Sequence, residues 1–153
     1  MGIDLGKEIV ELFKDEATVK VLATNDKYGV PHVVCKASMD INEDGNIQYL
    51  EFIESSQTNM NMVNSIWFKR KVAINIKTQD GRSYQIKGTP IRTHISGAIF
   101  EKYYRIVRQK FDDGDLAAVW IIEPEEVINE SFEYRKKEEE TKHPLLKHLD
   151  RLI

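Results

Sequence analysis

The stretch at residues 21–32, VLATNDKYGVPH, decides the fold, because it holds a strand, a turn and the start of a second strand. Val21 and Ala23 alternate with Leu22 and Thr24, a period of two that indicates a strand. The residues at 25–29 supply turn-forming side chains that end in glycine, and a proline follows at 31. The sequence therefore predicts a β-hairpin at this point.

The strand after this turn presents two faces, and the choice between them sets which side chains can meet a ligand. One face carries His32, Val34, Lys36 and Ser38, and the other carries Val33, Cys35, Ala37 and Met39. The second set is the more apolar, so we interpret it as the core face. On this interpretation Cys35 is a buried structural cysteine.

The rest of the chain continues as short strands interrupted by helices. Alternating patterns predict strands at 72–77, 84–90 and 127–134, and β-branched and aromatic residues predict one at 47–53. The stretch 117–122 is apolar on both faces and predicts a buried strand, which Pro124 separates from the last one. Helical spacing predicts helices over 5–13, behind Asp4 as N-cap, over 62–68 and over 99–111. These patterns indicate a mainly β protein of the α+β class.

The C-terminal part differs in composition from what precedes it. Residues 135–140 are almost all charged and are interpreted as a solvated connection, after which Pro144 could open a short amphipathic helix. The apolar residues of that helix would be Leu145, Leu146, Leu149 and Leu152. We therefore divide the chain into one domain at 1–134 and an appended segment at 135–153.

Composition and charge exclude several classes of function. The chain has 22 basic and 25 acidic residues, so it lacks the excess of positive charge on which nucleic-acid binding depends. It has one cysteine, which excludes an internal disulfide and fits a reducing compartment. We find no signal-peptide pattern and no membrane-spanning apolar run. We expect a cytoplasmic protein that binds neither nucleic acid nor membranes.

Two patterns could suggest a metal. Asp40, Asn42, Asp44 and Gly45, with Glu51 at the twelfth position, match the letters of a calcium-binding EF-hand loop. An EF-hand needs a helix on each side, whereas both flanks have strand patterns, so we interpret the loop as a hairpin turn. The four histidines show no paired ligand spacing. We predict no metal site.

A polar bend before the second predicted helix is the best candidate for a binding site. It contains Ser55, Ser56, Thr58, Asn59 and Asn61. Backbone N–H groups at a helix N-terminus bind anions, and hydroxyl and amide side chains add hydrogen bonds. The same residues also serve as ordinary helix caps. On the residues alone, a phosphate site and simple capping are equally supported.

The sequence resembles the pyridoxamine 5′-phosphate oxidase-like, FMN-binding split-barrel superfamily. The resemblance is carried by residues 21–32, by the bend, helix and strand at 55–76, and by the strand at 85–88, which closes with a glycine. Together these segments span roughly residues 18–125. The resemblance implies a six-stranded antiparallel split β-barrel with Greek-key character and flanking helices. It also implies a homodimer with FMN at the two-fold interface.

The resemblance assigns roles to two groups of residues. Val34, Cys35, Lys36 and Ser38 would line the flavin ring, and Ser56, Thr58, Asn59 and Asn61 would grip its phosphate. Many members have a lysine early in the following helix as a phosphate ligand, but Met62 occupies that position, so a charge-assisted contact is lost. Basic substrate ligands near the C-terminus are also not identifiable, so we do not expect pyridoxamine phosphate oxidase activity.

The leading hypothesis is an FMN-dependent oxidoreductase or electron carrier, in which the flavin supplies the redox chemistry. Its catalytic residues and its small-molecule substrate or redox partner are not identified by the sequence. One alternative is a non-enzymatic flavin-binding or flavin-sensing module. Another keeps the barrel but binds haem or a deazaflavin.

Overall fold

A computed structural model describes residues 2–144 and 148–152 of the chain. The strands are β1 Val19–Asn25, β2 Pro31–Cys35, β3 Asp40–Ile41, β4 Ile47–Glu51, β5 Val72–Lys77, β6 Ser83–His94 and β7 Ala118–Asn129. The helices are α1 Gly6–Lys14, α2 Gln57–Phe68, α3 Gly97–Lys110 and α4 Phe132–Lys142, and a 3₁₀ helix covers His148–Leu152. The α+β class is confirmed.

The strands form one curled, half-barrel antiparallel sheet in the order β2-β1-β5-β6-β7-β4-β3. The predicted number of six strands is wrong, since the described residues form seven. The predicted second strand is interrupted by a turn, in which Met39 N donates to Lys36 O at 3.4 Å. The chain beyond that turn pairs as β3 with β4 instead of continuing along β1.

The two last predicted strands are joined in one strand, β7, so Pro124 does not separate them. β7 ends at Asn129, and residues 132–134 of the second prediction lie in the helix α4 instead. Pro124 lies inside β7, opposite Gly88 of β6, at a point where the register between the two strands shifts. A Cβ atom at Gly88 would stand 2.5 Å from the carbonyl oxygen of Glu123. Glycine is thus required here because the two backbones approach more closely than a side chain allows.

The face assignment for β2 is wrong. Val33 is 64% exposed and Cys35 is also exposed, while Val34 is half-buried. Among the described elements β2 pairs only with β1, at the edge of the sheet, and periodicity cannot tell which face of such a strand lies inward. Met39 is buried as predicted, because the turn before it redirects the chain.

The segment that follows β2 is joined to the strand β4 by side-chain contacts, and no described backbone ladder pairs β2 with β4. The hydroxyl of Ser38 donates to Leu50 O at 2.9 Å and accepts from Leu50 N at 3.3 Å. One residue further along β4, the Glu51 carboxylate accepts a hydrogen bond from Lys36 Nζ. We call this junction the seam, defined by Lys36, Ser38, Leu50 and Glu51.

The helices cover the sheet. The predicted helices α1 and α3 are confirmed. The N-cap of α1 is Leu5 and not the predicted Asp4, which accepts a hydrogen bond from Gly6 N at 2.9 Å. Residues 135–140, interpreted as a connection, lie within α4. Of the predicted C-terminal helix, Leu149 and Leu152 are exposed in the 3₁₀ helix, and Leu145 and Leu146 lie outside the described residues. No described helix is long and apolar enough to cross a membrane.

Candidate functional site

The N-terminus of α2 is built by the polar bend, and Ser56 is its N-cap. The Ser56 hydroxyl accepts from Asn59 N at 3.0 Å. The Asn59 side chain donates to Glu54 O at 2.9 Å and accepts from the indole N–H of Trp120, also at 2.9 Å. Capping by Ser56 is therefore present, and Asn59 joins the bend to the core strand β7.

Glu51 is the centre of this site, and sequence reasoning missed it. Its carboxylate is 2% exposed and accepts from the Ser56 hydroxyl at 2.5 Å and from Phe52 N at 3.2 Å. It also accepts from Lys36 Nζ at 3.0 Å. A buried carboxylate needs partners of this kind, because an unpaired buried charge is strongly disfavoured. The only sequence signal was its place in the letters of the calcium loop.

Lys36 lies at the seam, where its ammonium group is paired with Glu51. The same ammonium lies 5.7 Å from the centre of the Tyr49 ring. Ser38 is bound to the backbone of Leu50. Of the other two predicted ring-lining residues, Val34 is half-buried and Cys35 is exposed on the opposite face of β2.

Thr58 and Asn61 point into the protein, where they are 2% and 1% exposed. The Asn61 side chain donates to the Thr24 hydroxyl at 3.0 Å and accepts from the Gln57 amide at 2.7 Å. Asn61 thereby ties α2 to β1. Met62, at the position where many members of the resembled superfamily have lysine, is fully buried in the main core.

The helix α2 buries polar side chains beside the apolar Met62 and exposes several apolar ones. Its buried residues include Thr58, Asn61 and Ser65. Its exposed residues include Met60, Val63 and Trp67, at 52%, 41% and 77% exposure. The spacing of these three places them on one helical face. An apolar face with an exposed tryptophan is typical of a surface that another body covers.

The Tyr49 hydroxyl is buried beside this network without a hydrogen-bond partner in the described structure. Burial raises the pKa of its phenol, and the neighbouring Glu51 carboxylate raises that pKa further. Tyr49 therefore stays neutral, since the phenolate would be both desolvated and next to a negative charge.

These observations test whether the chain fits the phosphate of FMN. Ser56, Asn59 and Asn61 are each held by bonds within the protein, and Thr58 and Asn61 face inward. The cation at the seam is already paired with a carboxylate. The four predicted phosphate ligands are brought together at the start of α2, but in this arrangement their side chains do not fit a phosphate.

The residues that match the letters of a calcium-binding loop lie in a turn between two strands. The loop joins the strands β3 and β4, so the hairpin interpretation is confirmed. The loop residues 43–46 border a cavity of about 490 Å³ that Asp4 and Glu123 also line. Among the described residues, no three His, Cys, Asp or Glu side chains stand where they could hold a metal ion.

No protein-family model matches the chain. No curated protein matches it. Solved structures do match. HupZ of Group A Streptococcus is 25% identical, with a TM-score of 0.69 over 84% of this chain and 95% of that one. A candidate pyridoxamine 5′-phosphate oxidase from Lactobacillus delbrueckii is 27% identical, with a TM-score of 0.61 over 82% of this chain and 93% of that one.

More distant matches share the fold alone. An FMN-binding protein from Syntrophomonas wolfei is 13% identical, with a TM-score of 0.64 over 82% of this chain and 88% of that one. Two structures at 15% identity are described as an F420 reductase and as HutZ, a heme-storage protein from Vibrio cholerae, with TM-scores of 0.59 and 0.58. They cover 82% and 83% of this chain, and 98% and 95% of their own. Proteins of this fold are thus described with three different cofactors, namely FMN, F420 and heme.

Proposed function

Since this chain belongs to the pyridoxamine 5′-phosphate oxidase-like split-barrel superfamily, we propose that it is a homodimeric flavin-binding protein. FMN is the flavin that the superfamily resemblance implies, and the proposed activity is flavin-dependent oxidoreduction. Its substrate or electron partner is a small molecule or protein that the site residues do not identify. We place the protein in the cytoplasm, where its exposed thiol, Cys35, would remain reduced.

The observation that carries the proposal is that α2 buries polar side chains and exposes apolar ones. A monomer in water gains by burying Met60, Val63 and Trp67 and exposing Thr58 and Asn61, yet the chain does the reverse. The arrangement becomes favourable when a second apolar surface covers the exposed face. Buried tryptophan and methionine are enriched in such interfaces.

We assign that covering surface to a second copy of this chain. A stable interface buries about 800 Å² on each partner, far more than three side chains supply. Further exposed apolar residues belong to β2, to the turn before it and to the end of α2, and these elements are linked, since Arg70 donates to Asp26 O at 2.9 Å. These residues are Tyr28, Val30, Val33 and Phe68.

The flavin would lie where this surface meets the seam. Val34 of β2 is half-buried, and Lys36 follows the end of β2 at the seam. When bound, the flavin supplies the redox chemistry. We propose that the flavin ring is lined by four residues, which are Val34, Cys35, Lys36 and Ser38.

The absorption spectrum of the purified protein tests the proposal, together with its mass by light scattering. We expect a yellow protein with a flavin spectrum and twice the mass of one chain. A Soret band would favour haem in the same barrel, and a deazaflavin spectrum would favour F420. A colourless monomer that takes up no added flavin would overturn the proposal.

A further inference from the structure

An anionic side chain of the chain itself, Glu51, contacts the N-cap residue of α2. The described first turn of α2 contains no acidic residue. The Glu51 carboxylate lies beside this turn, because it accepts from the side-chain hydroxyl of the N-cap Ser56 at 2.5 Å. It also accepts from Phe52 N, which precedes the helix, at 3.2 Å. A helix N-terminus stabilises negative charge, so Glu51 is in the position that favours an anion.

Two side-chain donors that a ligand phosphate beside the start of α2 could use are already engaged. The Ser56 hydroxyl and the Lys36 ammonium are both bound to Glu51. Because Glu51 is part of the chain, it competes for them at the high effective concentration of an intramolecular group. A phosphate placed beside the buried carboxylate would also meet a like charge where water does not screen it.

We infer that Glu51 is a specificity residue that excludes a ligand's phosphate from the start of α2. The inference rests on the proposed flavin-binding function and narrows it: the chain recognises the flavin by its ring system and not by its phosphate. Riboflavin and FMN, which share that ring and differ by the phosphate, should therefore bind with similar affinity.

The test compares the dissociation constants of riboflavin and FMN, measured by flavin fluorescence, in three proteins. In the wild type we expect the two constants to agree within about threefold. The substitution Glu51→Gln keeps the size and a hydrogen-bonding carbonyl but removes the charge, and we expect it to raise the preference for FMN by about tenfold or more. Glu54→Gln removes the charge of an exposed carboxylate in the same bend and should leave the ratio unchanged.

A second readout does not depend on flavin binding. Inorganic phosphate should shift the backbone amide resonance of Asn59, in the first turn of α2, in Glu51→Gln but not in the wild type. This shift without flavin binding would support the inference about Glu51 while overturning the proposed function.

Three results would overturn the inference. One is a wild-type protein that binds FMN more than about tenfold tighter than riboflavin, which needs no variant. Another is a folded Glu51→Gln protein with an unchanged ratio. The third is an Asn59 amide that responds to phosphate in the wild type.

Discussion

The helices α1 and α2 have opposite arrangements of side chains on the same half-barrel. α1 buries Ile9, Leu12 and Phe13 and presents its charged residues to water. α2 buries Thr58, Asn61 and Ser65 and presents Met60, Val63 and Trp67. α1 buries its apolar face within one chain, whereas in α2 an apolar face is exposed, and we propose that a second copy of the chain covers it.

The difference teaches what hydrophobic spacing reports. An apolar stripe marks the face that is buried in the functional assembly, and in α1 that assembly is the single chain. In α2 the polar stripe is satisfied from within, by bonds such as that of Asn61 to Thr24. The apolar stripe is then free to serve a partner. The following predictions would break or sharpen this comparison.

The largest effect is expected in α1. Phe13 is 1% exposed in the main core, so Phe13→Ala should lower the free energy of unfolding by about 3–5 kcal/mol. Urea denaturation measures the change. Lys14→Ala, at an exposed position of the same helix, is the control and should change it by less than about 0.5 kcal/mol.

Trp67→Ala tests the outer face of α2. We expect the free energy of dimerisation to weaken by about 2 kcal/mol or more, because exposed tryptophans at interfaces are hot spots. Sedimentation at a series of concentrations measures it. Phe132→Ala removes an aromatic of similar exposure at the start of α4, and should leave dimerisation unchanged. Equal effects of the two variants would contradict the assignment of the α2 face.

Asn61→Ala tests the inner face of α2. The Thr24 hydroxyl and the Gln57 amide lose their partner, so we expect a loss of about 1–3 kcal/mol in the free energy of unfolding. Asn64, on the same helix, has a buried side-chain nitrogen with no partner in the described structure. Asn64→Ala should therefore be less destabilising. A larger loss for Asn64 would mean that the polar stripe does not hold α2 in place.

The smallest effect concerns the link between α1 and the hairpin of β5 and β6. Hydrogen bonds from Arg82 and Thr78 lower the pKa of Asp80 from 3.8 to about 2, and Arg82 also reaches Glu8 of α1 at 3.0 Å. A carboxyl with a depressed pKa in the folded state stabilises the protein above pH 3.8, and this contribution is lost as the pH falls towards 2. In the Asp80→Asn variant, the free energy of unfolding should no longer show this part of its pH dependence. An NMR titration of Asp80 that gives an ordinary pKa would contradict the hydrogen bonds from Arg82 and Thr78 to this carboxylate.

Much of the fold could be predicted from the residues alone. The hairpin at 21–32, the helix α1 and the turn at 42–45 follow from local spacing and turn chemistry, and all three are present. Which face of β2 lies inward could not be predicted, because both of its faces carry apolar residues. The continuity of β7 through Pro124 depends on Gly88, which is distant in sequence.

The side-chain network around Glu51 could be predicted from the sequence only in part. Ser56 and Lys36 were selected and do lie close together, but the residue that joins them is Glu51. Its partners are 5 and 15 residues away in the sequence, and they meet it only because the seam brings the segment after β2 next to β4. No local pattern in the sequence reports such a closure. Hydrogen-bonding side chains were predicted as free donors, whereas folding engages them with one another.

The most direct test of the central claim is a sedimentation experiment on the flavin-loaded protein, followed at a visible wavelength that only the flavin absorbs. The account predicts that the flavin sediments with the protein in one boundary of twice the mass of a single chain. It also predicts that Trp67→Ala shifts this boundary towards the mass of one chain. Flavin that sediments with a monomer, or that remains unbound beside a dimer, would contradict it.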